Sequence, residues 1–151
     1  MAKLAGPNSD RRPRMTNHWL LKTEPSTYSF DRLVADGAAV WDGVRNNLAL
    51  KYLREMKPGD RVLVYHSGAE KAVVGQARVT KAAYPDPTRD DPKLVVIDLA
   101  PGPRLARPVP LTAIRQDPDL AELPLVRMSR LSVMPVAPEH WKRLLELATT
   151  R

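Results

Sequence analysis

A chain of 151 residues, 43% of them hydrophobic, is long enough to bury one core, and with no cysteine it forms neither disulfides nor thiolate metal centres. Its formal charge of +7 favours polyanions as partners. No apolar run approaches the roughly 18 residues of a bilayer-spanning helix, so no membrane association is expected.

Residues 1–16 hold Lys3, Arg11, Arg12 and Arg14 against Asp10, a net of +3, which leaves +4 of the total for everything that follows. This segment lacks the apolar middle of a secretory signal and reads as a disordered basic tail. A single domain is expected over 17–151, since no repeat or linker divides it. "HWLLKT" (His18–Thr23) predicts a buried strand. "SFDRLVADG" predicts a brief helix, with Ser29 as N-cap and Gly37 as its stop. After "WDGVRN", the stripe Leu48, Leu50, Tyr52, Leu53 and Met56 predicts a second helix, closed by the turn Pro58-Gly59-Asp60.

"RVLVYHSG" and "AVVGQARVTKAAY" predict two strands joined by the loop Gly68–Lys71, and Gly75 inside the second marks a bulge or a close backbone approach. A Pro/Asp-rich loop (Tyr84–Pro92) leads to a strand in "KLVVIDLAP". A separate strand in "RLARPVP" belongs at an edge, because Pro108 and Pro110 cannot donate to a ladder. "LTAIRQDPDLAEL" gives short helical turns and "RLSVMPV" a last strand. "APEHWKRLLELA" gives a terminal helix with Trp141, Leu144, Leu145 and Ala148 on one stripe. These elements predict an α+β fold with a mainly β core: a small curved sheet or barrel of about five or six strands, with short helices in the connections.

No Gly-rich phosphate loop and no GxSxG elbow is present, and His18, His66 and His140 lie in three unlike contexts, so neither a metal site nor a catalytic triad is expected. The polar groups gather elsewhere. Lys22, Thr23, Glu24 and Ser26 in "KTEPS" sit where a strand ends; they serve a ligand, or Ser26 and Thr27 satisfy a turn. "YHSG" ends another strand with Tyr65, His66 and Ser67, and "RMSRLSV" carries Arg127, Ser129, Arg130 and Ser132. Trp141 and Trp19 lie in apolar runs. Trp41, by contrast, opens "WDGVRNN", where an indole either stacks on a flat ligand or plugs the end of the barrel.

"HWLLKTEPSTYSFDRL", "VWDGVRNNLALKYLREMKPGD", "VYHSG", "VVGQARV", "AYPDPTRDDP" and "LVRMSRLSVMPV" together resemble the EVE domain family over about residues 17–147. The resemblance implies a PUA-like fold related to YTH domains. It also implies a non-enzymatic reader of nucleic acid, DNA rather than RNA, which holds a modified cytosine such as 5-methyl- or 5-hydroxymethylcytosine in an aromatic pocket. On this resemblance Trp41 is the aromatic wall, and Thr23, Glu24, Ser26, Arg45, Asn46, Tyr65, His66, Ser67, Ser129, Arg130 and Ser132 complete the base pocket. Arg127 and the tail residues Arg11, Arg12 and Arg14 are expected on phosphates. The chain departs from the family pattern at Asn47, where many members have Tyr or Pro, and at His18-Trp19, where many have Tyr-Trp. No cofactor or metal is implied. The expected context is a cytoplasmic, bacterial monomer, with a nuclease or restriction enzyme as a possible associate. Three other readings stay open: an ASCH-type amidohydrolase acting on modified nucleosides through Lys22, Thr23 and Glu24, a binder of modified RNA, and a protein-interaction module in which Trp41 meets a peptide.

Overall fold

The computed structural model describes residues 17–149, so the N-terminal tail with Arg11, Arg12 and Arg14 lies outside the described residues. Strand β1 (His18–Thr23) buries Trp19, Leu20 and Leu21 completely or nearly so. An apolar run without alternation is what a strand covered on both faces requires. Helix α1 (Phe30–Asp36) begins where Ser29 Oγ accepts the Arg32 N–H at 3.0 Å. It ends at Gly37, whose φ of +76° places it in the left-handed region. Strand β2 (Ala39–Trp41) follows, then helix α2 (Asn47–Glu55), which turns Ala49, Leu50 and Leu53 inward.

Strands β3 (Arg61–His66), β4 (Ala72–Pro85) and β5 (Val95–Pro110) form the central ladder. Helix α3 (Leu111–Gln116), a 3-10 turn at Pro118–Leu120 and helix α4 (Pro124–Arg127) lead to strand β6 (Val133–Pro135) and helix α5 (Pro138–Thr149). The six strands run in the order β2-β5-β4-β3-β1-β6. β1 lies parallel to β3 and antiparallel to β6, and the other neighbours are antiparallel. Repeated register shifts in the β4–β5 ladder increase the local twist and curl the sheet into a half-barrel. α5 packs on β5 with Trp141, Leu144 and Ala148 buried.

Two sequence expectations are corrected here. "KLVVIDLAP" and "RLARPVP" are not separate strands but one bent 16-residue strand, β5, paired along its length with β4. Proline is tolerated at its far end because β2 covers only the Ile97–Leu99 portion of the opposite side. Trp41, which belongs to no periodic segment in the sequence, is a strand residue paired with Ile97. Three residues are too few for a period of two to become visible.

Buried polar groups pair across the fold, except His18 Nδ1 and His140 Nδ1, which have no hydrogen-bond partner among the described residues. The Trp19 indole N–H donates to Asp60 Oδ2 at 2.9 Å, and the same carboxylate oxygen accepts the Lys57 N–H at 3.0 Å, which ties the turn after α2 to β1. Gly75 serves both roles expected of it. The β3–β4 and β4–β5 registers shift beside it, and the Phe30 ring lies so close that an added Cβ would sit 2.4 Å from a ring carbon. Gly75→Ala should therefore destabilise the fold by about 1–3 kcal/mol through overpacking. Chemical denaturation checks this, and an unchanged midpoint would show that Phe30 moves aside freely.

Candidate nucleic-acid interface

The end of β1 gathers the loops around it. The Thr23 hydroxyl donates to the Tyr28 carbonyl at 2.7 Å, and the Thr27 and Tyr28 N–H groups both donate to the Glu24 carbonyl, at 2.8 and 2.9 Å. Glu24–Tyr28 is thus a tight turn pinned to the strand. Within it, Glu24 Oε2 accepts the Ser26 N–H at 3.2 Å and the Ser26 hydroxyl at 3.1 Å. Across β1, the Lys22 N–H donates to the Ser132 carbonyl at 3.0 Å and holds the segment before β6 in place.

Between this turn and the segment after β2 lies a cavity of about 380 Å³, within the usual roughly 300–1,000 Å³ of small-molecule sites. Trp41 forms part of its wall while remaining only 8% exposed. The Tyr28 ring meets that indole edge-on, at 6.1 Å between centroids and 86° between planes. Such a T-shaped pair is a favoured aromatic geometry and fixes both rings. Burial, reinforced by a 2.8 Å hydrogen bond from its hydroxyl to Asp36, pushes the Tyr28 pKa up to about 12. The phenol therefore remains neutral.

Gly43, at φ +80°, turns the chain directly after β2, a conformation that L side chains resist. The turn lets Trp41, Asp42, Val44 and Arg45 all line the one cavity, with Val40 at its lip and 52% exposed. The polar side of the wall is Lys22, Thr23 and Ser132. Lys22 Nζ donates to the Ser129 carbonyl at 2.7 Å and stands 5.8 Å from the Tyr65 ring centroid. Burial holds its pKa below the usual lysine value. A flat apolar wall with a carboxylate and two cations beside it suits a planar heterocycle that presents both donors and acceptors.

The sequence signature of the EVE domain matches residues 17–147. The chain belongs to the EVE domain family. Thymocyte nuclear protein 1 of Mus musculus is 31% identical over 170 residues, covering 90% of this chain and 75% of that protein. Among solved structures, a Rhodopseudomonas palustris protein is 42% identical with a TM-score of 0.83, covering 87% of this chain and 92% of the other. Human THYN1, in complex with DNA containing 5-methylcytosine, is 28% identical with a TM-score of 0.81, covering 89% of this chain and 98% of that one. An ASCH protein of Zymomonas mobilis, at 12% identity and TM-score 0.58 over 87% of this chain and 95% of its own, shares the fold, which is PUA-like.

In this EVE domain the residues expected in one pocket divide among several places. Trp41, Thr23, Arg45 and Ser132 line the main cavity together. Asn46 does not. Its Oδ1 caps α2 by accepting the Ala49 N–H at 3.0 Å, and the residue borders a neighbouring cleft of about 410 Å³ with Arg127, Ser129 and Arg130. The Arg127 guanidinium is paired there with Glu122. His66 is likewise corrected. It is 7% exposed, its Nε2 accepts the Phe30 N–H at 3.0 Å, and its Nδ1 lies 2.8 Å from Glu70 Oε1, so the imidazole joins β3 to α1. Glu24 and Ser26 bond to one another outside the cavity, so Lys22, Thr23 and Glu24 do not converge on a point within it. Tyr65, Ser67 and Ser129 border a third, smaller cavity, which also includes Lys22. The pocket set expected from the sequence omits Lys22, Thr27, Tyr28 and Asp42. Asp42 stands inside the "WDGVRN" segment, but nothing local marks Tyr28, whose place depends on the turn to Thr23.

Two outcomes follow from this geometry. Asn46→Ala should lower stability by about 1 kcal/mol through loss of the cap, and Asn46→Asp should retain it; equal stability in all three proteins by denaturation would remove the capping role. Lys22 should titrate below 10.5 in side-chain NMR. Because its folded pKa is the lower one, its contribution to stability rises with pH across the window below 10.5. A midpoint at or above the ordinary value would contradict its burial.

Proposed function

We propose that this chain is a non-enzymatic nucleic-acid reader, and that the cavity beside Trp41 takes one modified cytosine, such as 5-methyl- or 5-hydroxymethylcytosine, from DNA. The observation that carries this reading is the indole wall flanked by Asp42, Arg45 and Lys22 in a single cavity. It is supported by the human relative, whose structure holds DNA containing 5-methylcytosine.

The altered edge of a stacked, paired base is out of reach of such a cavity, so the base enters from a single strand or after flipping out of a duplex. Flipping costs a few kcal/mol, and stacking on the ring of Trp41 offsets roughly 1–3 kcal/mol of that. A carboxylate is the natural acceptor for the exocyclic amine of cytosine, which gives Asp42 the role of reading it. Lys22 and Arg45 supply donors to the ring's acceptors, and the hydroxyl of Thr23, already committed to the Tyr28 carbonyl, orients the turn. Val40 and Val44 offer apolar contact for a methyl group at C5. Burying one such carbon is worth about 0.8 kcal/mol, or about fourfold in affinity. Arg130 and Arg45 on the outer surface add attraction to phosphates that weakens with salt. Chemistry on the bound strand falls to a partner such as a nuclease.

Oligonucleotides that differ in one cytosine methyl group test this directly. The methylated strand should bind about fourfold more tightly, and Trp41→Phe should weaken both strands while circular dichroism shows an intact fold. Equal affinity for modified and plain strands at every salt concentration would sink the reader. Incubation with N4-acylated cytidine should release no cytidine; steady turnover would overturn the binding-only assignment and restore the amidohydrolase reading.

A further inference from the structure

Lys22 lines a second cavity besides the one beside Trp41, and we propose that this smaller one is a phosphate site. It measures about 180 Å³ and is bordered by three cations, Lys22, Lys71 and Arg115, with the hydroxyls of Tyr65 and Ser67. Among the described residues, no carboxylate lines it. The acidic groups nearest along the chain have partners of their own: Glu24 accepts the Ser26 N–H and hydroxyl, Glu70 pairs with His66 and Asp117 with Arg143, although the Glu24 carboxylate also lies against Gly68 at the cavity's edge. Neither Lys71 nor Arg115 has an ion pair or a side-chain hydrogen bond among the described residues. Three positive charges around a small space whose lining holds no carboxylate repel one another, and an anion between them relieves that repulsion.

The backbone carries a second, independent sign. Lys71 has φ +48° and is the only non-glycine residue among those described with a positive φ. A residue with a Cβ is strained in that region, and such outliers gather where a site demands them. Its carbonyl accepts the Leu111 N–H at 2.8 Å, which fixes the loop after β3 against the start of α3. Glycine would satisfy that backbone without strain, but this chain places an ammonium at the cavity instead.

The residue types select the ligand. Cations and hydroxyls are all donors toward an oxyanion, and the cavity is large enough to admit a tetrahedral group. Lys22 Nζ uses one of its three donors on the Ser129 carbonyl and keeps the others for an occupant. Tyr65 contributes a neutral hydroxyl, its pKa raised by burial against the opposing influence of Arg115. The source we assign to the phosphate is the backbone of the strand whose base enters the first cavity. That assignment of source rests on the reader function proposed above; the phosphate chemistry does not.

Two measurements on the full chain separate the claims. Titration with inorganic phosphate, against sodium chloride at matched ionic strength, should shift the amide resonances of Gly68, Lys71 and Leu111. Arg115→Gln should abolish those shifts. Lys71→Gly should weaken them and raise the melting temperature, because it removes charge and strain together; a purely structural lysine would not link the two. Absence of phosphate-specific shifts, or their persistence in both variants, would overturn the site. With a single-stranded oligonucleotide, Arg115→Gln should reduce the slope of log affinity against log salt by about 0.7, the value for a single phosphate no longer neutralised. An unchanged slope would remove the strand as the source. Phosphate shifts in a protein that binds no oligonucleotide would remove the reader function and leave this site standing.

Discussion

The last two residues of β1 are the joint on which the site depends. Through main-chain bonds, Lys22 holds Ser132 and Thr23 accepts the Ser67 N–H at 2.9 Å. Through side chains, Thr23 fastens Tyr28 and Lys22 fastens Ser129. Segments more than a hundred residues apart in the chain are thereby brought to one point. This is possible because β1 lies inside the sheet, parallel to β3 on one side and antiparallel to β6 on the other. Buried main-chain groups must be paired, and here their partners are the loops that carry the polar side chains.

The same economy explains why Trp41 has two roles. It belongs to the hydrophobic core and is nearly covered, yet it borders the main cavity. Stacking surface and barrel plug are therefore not exclusive alternatives. One face of an indole can pack while another lines a space, and its edge-on contact with Tyr28 fixes the ring in that position. Rigid placement matters for recognition, since a ring already ordered in the free protein loses little entropy when a ligand arrives.

Much of the fold is legible in the sequence. Continuous apolar runs announce β1 and β3, helical spacing announces α2 and α5, and Ser29 and Gly37 bracket α1 as capping chemistry dictates. Gly75 is legible as a place where something approaches, though not that the visitor is Phe30. β2 is hidden by its brevity, and β5 looks divided because its prolines suggest a break that pairing on one side does not require. For the site, the short motifs lead to residues that the fold distributes among three cavities, which spacing along the chain does not separate. Asn46 has a local explanation, since asparagine ahead of an apolar stripe is an N-cap signal. His66 has none, because its partner Phe30 is 36 residues away.

One ammonium group borders two chambers. An occupant of either that draws on this ammonium changes the free energy of filling the other, and thermodynamic reciprocity makes the effect equal in both directions. A fold this small needs no hinge for such communication: a shared side chain is sufficient. Under the proposed function the two spaces would form one composite receptor, in which the sugar–phosphate chain and the heterocycle it carries are sensed jointly.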